Sequence, residues 1–197
     1  MDRSLVIRAQ QGDREAFARI VDLAYDRYHA VALRLLRDLQ LAEDATQQAL
    51  VNIWRDLPRL RDPSRFDGWS YRLLVRACYA EFKKAPRWMA AIEPGMPDEP
   101  RVADEYEAIL DRDQLERGFR GLSIEHRAVV VLHHYLDLPL DEIATVLAIP
   151  IGTVKSRLHR ALAEMRATLD ADSRPASRPP QATAQPQTSS TGAQVMR

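Results

Sequence analysis

The sequence predicts an all-α protein: two small helical domains joined by a flexible linker, with a disordered C-terminal tail. Three observations predict it. Apolar residues recur at three- and four-residue intervals along most of the chain. No stretch alternates apolar and polar residues as a half-buried strand would. The prolines gather between the two helical blocks and in the tail. A length of 197 residues with 46% hydrophobic content is enough for two modest cores.

The elements follow in order. A short helix at 3–11 ends at Gly12. Asp13 caps a helix from 14 to about 37, with Phe17, Ile20, Val21, Ala24, Tyr28, Val31 and Leu35 on one face. A helix from about 42 to 57 stops before Pro58; its apolar face holds Ala45, Ala49, Leu50, Ile53, Trp54 and Leu57. Pro58 and Pro63 mark a turn-rich loop, and a helix from 67 to 84 completes a domain spanning 1–84. On that helix, Trp69, Leu73, Ala77 and Ala80 point one way.

Residues 85–105 contain Pro86, Pro94, Gly95, Pro97 and Pro100 and are read as an acidic linker. Helical periodicity returns near 107, giving a second domain at 106–170. Residues 171–197 are rich in Pro, Ser, Thr, Gln and Ala. They cannot bury enough apolar surface to fold.

No apolar run is long enough to span a membrane and no signal peptide leads the chain, which points to a cytoplasmic protein. Cys78 is the single cysteine, so no internal disulfide can form. The net charge is zero, but its distribution is uneven. Residues 1–84 hold 15 Lys and Arg against 12 Asp and Glu, whereas 85–125 hold 5 against 10. Local fields, rather than the total, steer a polyanion.

The sharpest local signal is a helix-turn-helix pattern. A short helix at about 140–147 meets a turn at Ala148-Ile149, and Pro150 opens a second helix as its first residue. Val154, Leu158, Ala161 and Met165 share one side of that helix. The other side offers Ser156, His159 and Arg160, flanked by Lys155 and Arg157, with Thr153 near the N-terminus. One face can lock onto a partner helix while the other reaches base edges and phosphates in a major groove. A solvated basic face is the plainer alternative; the compact upstream helix and the short turn favour DNA. His159 stands alone, so base or phosphate contact outranks a metal.

A second basic stripe, Arg72, Arg76, Tyr79 and Lys83, runs along 67–84, and Arg65 and Phe66 extend it toward the loop. Cations beside an aromatic ring suit single-stranded or opened DNA, although on this pattern alone a solvated helix face is the commoner explanation. The helix at 42–57 presents Asp44, Gln47, Gln48, Val51 and Arg55 outward. That polar face, with an apolar residue in it, suits a protein partner better than DNA.

Three strings, E43-D-A-T-Q-Q-A-L-V-N-I-W, F66-D-G-W-S-Y-R-L-L-V-R-A-C-Y-A-E-F-K-K and I149-P-I-G-T-V-K-S-R-L-H-R-A, together resemble a small sigma factor of the extracytoplasmic-function type. The likeness covers about 10–84 (region 2 of the sigma-70 family) and 107–168 (region 4). It implies a subunit that binds core RNA polymerase, recognises −35 and −10 promoter elements and promotes DNA opening, with no cofactor. The face of Asp44, Gln47, Gln48, Val51 and Arg55 would dock on the clamp helices of the largest subunit. Arg65, Phe66, Arg72, Arg76, Tyr79 and Lys83 would hold the −10 element. Thr153, Lys155, Ser156, Arg157, His159 and Arg160 would read the −35 duplex. An apolar surface around Val129 to Leu136 would meet the flap of the second-largest subunit, and the linker would thread toward the RNA-exit path. The family also admits an anti-sigma protein as partner.

The chain departs from the family pattern at Gln48, Arg76, Ala80 and Pro139, where an acid, Asn, Asp and Ser are common; −10 base preferences therefore do not transfer. A stand-alone helix-turn-helix regulator is the main rival. An enzyme is the other, but His133, His134 and Cys78 come with no metal-ligand spacing or phosphate loop, so no catalytic residue is expected.

Overall fold

A computed structural model describes residues 1–85 and 116–172. Among these residues the regular structure is entirely helical. The N-terminal unit contains α1 (Arg3–Gln10), α2 (Arg14–Leu36), α3 (Leu39–Asp56) and α4 (Phe66–Lys84). The C-terminal unit contains helical residues 116–120, then α5 (Ile124–Val130), α6 (Leu140–Leu147) and α7 (Ile151–Asp172). Nearly all of the linker anticipated at 85–105, the start of the periodic pattern after 107 and the tail beyond 172 lie outside the described residues.

Helix starts follow from short polar side chains that satisfy the first exposed N–H groups. The Asp13 carboxylate accepts from Ala16 N at 3.0 Å, and Ser123 Oγ accepts from His126 N at 3.2 Å. Asp38 accepts from Leu41 N at 2.8 Å. That cap moves the start of α3 to Leu39, ahead of the position near 42 that the apolar pattern suggested. Gly12 stops α1 with a φ of 91°, a region L side chains avoid. The loop before α4 is not irregular: single 3₁₀ turns occupy Leu57–Arg59 and Pro63–Arg65. Gln10 Nε2 holds it by donating to Leu57 O at 3.1 Å and Leu60 O at 2.7 Å.

The N-terminal core packs Ile20, Val31 and Leu35 of α2 against Ile53 of α3 and Leu74 and Val75 of α4. Each such side chain, fully buried, contributes about 1.5–3 kcal/mol. One polar chain crosses this core. Tyr28 Oη donates to Ser70 Oγ at 2.7 Å, and Ser70 Oγ donates to Asp67 O at 2.9 Å. Burial pushes the Tyr28 hydroxyl far above its ordinary pKa.

The buried side of α4 is Phe66, Ser70, Tyr71, Leu74, Val75, Ala77, Cys78 and Glu81. This corrects the apolar face read as Trp69, Leu73, Ala77 and Ala80: Trp69 and Leu73 are only half-buried and Ala80 is exposed. The reason is tertiary, because α4 packs against α2, α3 and α6 and so buries a wide arc.

In the C-terminal unit, the helix begun by α5 widens over Val131–Tyr135, where Leu136 N donates to Val131 O, five residues back, at 3.2 Å. Gly118 lies close under Met165; a Cβ there would sit 3.2 Å from its terminal methyl. A small cluster of Leu122, Val130, Ala161 and Met165 fixes α7 against α5. The rest of the core, including Ala128, Leu132, Ile143, Val146 and Val154, is continuous with that of the N-terminal unit. Thus α6 lies on α4 and α5 approaches α2. Across the seam the Arg34 guanidinium stands 3.9 Å over the Tyr135 ring, and Arg37 Nη1 donates to Glu116 O at 2.9 Å. A cleft of about 390 Å³ opens at this junction between Leu23, Arg27 and Tyr71 on one side and Leu136 and Leu138 on the other.

Candidate nucleic-acid and polymerase interfaces

The helix-turn-helix is α6, a turn and α7. Pro139 heads α6 without a side-chain cap, and its carbonyl accepts from Ile143 N at 3.0 Å. A proline therefore serves where a serine is usual, because the N-terminal turn loses only a side-chain bond. Ala148 turns the chain with a φ of 54°. Pro150 precedes α7 rather than forming its first residue, its carbonyl accepting from Thr153 N at 2.9 Å and Val154 N at 3.1 Å.

On α7, Val154, Ala161 and Met165 are buried and Leu158 packs beside them. Lys155, Ser156, His159 and Arg160 are exposed on the other side, with Thr153 half-buried at the N-terminus. Ser156 Oγ donates to Thr153 O at 3.0 Å, a bond within its own helix that is easily exchanged for a phosphate. His126 Nδ1 lies 3.1 Å from Glu164 Oε2 and ties α5 to the middle of α7. Arg157 differs from its neighbours: it is half-buried, and its charge draws the Tyr79 hydroxyl on α4 toward a lower pKa.

The stripe on α4 is divided. Arg76 and Lys83 are exposed, as is Arg65, whose Nε lies 3.5 Å from Asp62. Arg72 and Tyr79 are half-covered. Arg72 Nε and Tyr79 Oη are buried with no hydrogen-bond partner among the described residues. Burial pushes the Tyr79 hydroxyl up to about 12; the Glu125 carboxylate adds to this, and Arg157 opposes it. Phe66 does not belong to a DNA face, since its ring is 1% exposed and packs in the core 6.0 Å from Trp69. It stands at the first position of α4 and points inward under the loop, a direction that the loop's two 3₁₀ turns decide.

On α3, Asp44, Gln47, Gln48, Val51 and Arg55 are all exposed on one side. Their bonds are local. Gln48 Nε2 donates to Asn52 Oδ1 at 3.2 Å, and Arg55 pairs twice with Asp56 at 3.0 Å. Arg55 holds the Asp56 carboxyl below its ordinary range. Val51 is 59% exposed and Trp54, 37% exposed, adjoins this face with its ring 4.7 Å from Phe17. Trp54 therefore stands at the edge of the apolar face that the sequence assigns it to, and its three-residue spacing from Val51 is the signal for the edge it shares.

The apolar surface expected around Val129 to Leu136 is absent as a surface. Val129, Val130, Val131, Leu132 and Leu136 are buried, and only His134 and Tyr135 of that stretch are exposed. Packing of the C-terminal unit on α2 and α4 accounts for this. Among the described residues no group of His, Cys, Asp and Glu is placed to hold a metal, and no helix is long and apolar enough to cross a membrane.

Comparison with known proteins points to one family. The model of sigma-70 region 2 matches residues 20–87, and that of sigma-70 region 4 matches 112–165. The ECF RNA polymerase sigma factor SigL of Mycobacterium tuberculosis (strain H37Rv) is 34% identical over 167 residues, covering 80% of this chain and 93% of SigL. SigW of Bacillus subtilis, also an ECF RNA polymerase sigma factor, is 27% identical over 181 residues, covering 86% and 97% of the two chains. Among solved structures, CnrH bound to the cytosolic domain of CnrY superposes with a TM-score of 0.64 at 24% identity, covering 87% of this chain and 99% of that one. RpoE bound to the anti-sigma factor NepR, from Bartonella quintana, gives 0.61 at 22%, covering 79% and 98%. At these identities the two structures attest the fold alone.

Proposed function

Because the chain belongs to the sigma-70 family, as an RNA polymerase sigma factor of the ECF type serving transcription initiation, we propose that it joins core polymerase to promoters through three surfaces of its own. The outward side of α3, from Asp44 to Arg55, docks on the clamp helices of the largest subunit. The 58–65 loop and Arg72, Arg76, Tyr79 and Lys83 of α4 hold the opened −10 strand. Lys155, Ser156, His159 and Arg160 of α7 read the −35 duplex, with Thr153 and Arg157 at the margin.

The observation that carries this reading is the row of exposed cationic and hydrogen-bonding groups on α7, opposite its buried Val154, Ala161 and Met165. Cations gain affinity by releasing counterions from phosphates, and Arg and Lys can also meet guanine O6 and N7. The chain's own chemistry is recognition and strand separation; phosphodiester bonds are made by the polymerase. An anti-sigma protein is a further partner, a proposal that the complexes of RpoE with NepR and of CnrH with CnrY support by their likeness in fold.

Run-off transcription with purified core polymerase and a promoter library tests the reading. The expected result is start sites that depend on the chain and vanish with the double variant Lys155→Ala, Arg160→Ala. A folded chain that yields no start site on any template would sink it. One observation favours a stand-alone helix-turn-helix regulator: the α4 stripe is half-covered while the α7 face is open. Co-purification with core polymerase separates the two, because a regulator of that kind has no use for the α3 face.

A further inference from the structure

Of the 28 Lys and Arg residues in the chain, only Lys83, Lys84 and Lys155 are lysines. All three lie on the two helices assigned above to DNA, Lys83 and Lys84 in the last turn of α4 and Lys155 near the start of α7. Each is exposed. Elsewhere on these faces the cation is an arginine: Arg65, Arg72, Arg76, Arg157 and Arg160. The two residue types differ chemically. A guanidinium stays protonated in a protein, whereas an ε-amine can lose its proton and act as a nucleophile, which makes lysine the residue that is acylated.

We propose that Lys83 and Lys155 are acylation sites, one on each DNA-facing helix, where an activated acyl donor cancels a charge and loosens the grip on DNA. The inference rests on the assignment of these two faces to DNA. The step is an acyl transfer from an acyl phosphate or an acyl thioester. The neutral ε-amine attacks the carbonyl carbon of the donor and an amide bond forms. The bond from that carbon to the phosphate oxygen or thiol sulfur breaks, the leaving group takes the electron pair, and the amine proton passes to water. The product is uncharged and can no longer pair with a phosphate.

Neighbours decide which lysine reacts. Lys84 Nζ is held by Glu81 Oε1 at 2.7 Å, and that carboxylate repels an anionic donor. Lys83 and Lys155 make no ion pair or hydrogen bond among the described residues. Lys155 stands one turn from His159 and shares the open side of α7 with Arg160; Lys83 shares its side of α4 with the exposed Arg76. Acyl phosphates and coenzyme A thioesters are anions, so the local fields that gather DNA gather them too. Lys84, next in sequence and equally open to solvent, is thus a built-in control. Because Arg76 and Arg160 keep their charge, acylation removes one cation from each face and weakens binding without abolishing it.

The test incubates the full chain with acetyl phosphate in one arm and acetyl coenzyme A in the other, and follows each lysine by peptide mass spectrometry. Lys83 and Lys155 should be acetylated ahead of Lys84. Modification in either arm upholds the proposal, and the arm that reacts identifies the donor. Binding is then measured at about 0.1 M salt with fluorescein-labelled, mixed-sequence duplex and single-stranded DNA. Loss of one phosphate contact should lower duplex affinity roughly 8-fold and single-strand affinity roughly 5-fold. In Lys155→Arg the ratio of treated to untreated affinity for duplex should return to near one, whatever the starting affinity, while the single strand still responds through Lys83. Lys83→Arg should show the reverse, and Lys84→Arg should leave both responses in place.

Two results would overturn the proposal: Lys83 and Lys155 modified no faster than Lys84, or a fully acetylated chain that binds both probes as before. The assignment of the faces is read separately, on untreated Lys155→Gln with duplex and Lys83→Gln with single strand. Weaker binding there, together with an acetylated wild type that keeps its affinity or resists the donors, sinks the acylation sites and spares the assignment. Undiminished binding by both glutamine variants removes these lysines from the DNA faces, and the proposal falls with that reading.

Discussion

Helices α4 and α7 are near equals in sequence and unequal in the fold. Both carry an apolar side and a row of Lys and Arg, and on a helical projection either could be a DNA face. In the structure α7 is held mainly by α5 and α6 and leaves Lys155, Ser156, His159 and Arg160 to solvent. Helix α4 is held by α2, α3 and α6, and only Arg76 and Lys83 of its stripe remain exposed. Charge pattern marks a surface that can bind a polyanion. The number of helices packed round it decides whether the surface is available.

The strongest way to break this contrast is to disconnect the helices that create it. Ile143 of α6 is fully buried in the core shared by both units. Ile143→Ala should destabilise the chain by about 2–5 kcal/mol. If the core is one cooperative body, denaturant unfolding of a Trp88→Phe background, in which tryptophan fluorescence samples only Trp54 and Trp69 of the N-terminal unit, should shift with the helical circular dichroism. A fluorescence transition that stays in place while the dichroism splits would show two independent units.

A smaller effect sharpens the contrast on DNA. Arg160→Ala should weaken binding to a −35 duplex by about 1–3 kcal/mol if the guanidinium meets a base. Arg76→Ala should instead act on phosphates and lower the salt dependence of single-strand binding by about 0.7 in the log–log slope. Isotherms at several salt concentrations distinguish the two. Equal losses on both ligands for both variants would erase the division of labour between the helices.

The smallest effect concerns acid. Asp2, Asp13 and Asp62 in the N-terminal unit have carboxyls held below the ordinary 3.8, mainly by hydrogen bonds from Ser4, Ala16 and Ser64 respectively. A folded pKa below the unfolded one means the folded chain binds fewer protons. The stabilisation is present above the ordinary value and is lost as pH falls through the depressed one. In the C-terminal unit, by comparison, α5 is capped by Ser123 and α6 is headed by Pro139, neither of which titrates. Amide exchange measured from about pH 5 down to about pH 3 should show α1 and α2 fraying before α5 and α6. Simultaneous loss of protection would remove the carboxylate caps as the cause.

Much of this was legible beforehand, and the exceptions share a cause. The cap at Asp13, the turn at Ala148 and the split of α7 into Val154, Ala161 and Met165 against Ser156, His159 and Arg160 all depend on interactions within a few residues. Periodicity reports those well. Phe66 was misread because its direction depends on how a two-turn loop delivers the chain into α4. The apolar face of α4 was misread because a helix with three neighbours buries polar Ser70 and Glu81 as well. Val129 to Leu136 looked like a free apolar surface because the helices that cover it are far away in the sequence.

What the amino-acid order determined alone is the helices, most of their ends, the family and the sites where cations line up, because propensity, capping and spacing act over one or two turns. What only the tertiary structure decided is which of those cations and rings face water. Burial is a property of the whole packed assembly: Tyr79 packs against a core built from both units, its hydroxyl buried, and no periodicity within α4 could announce that.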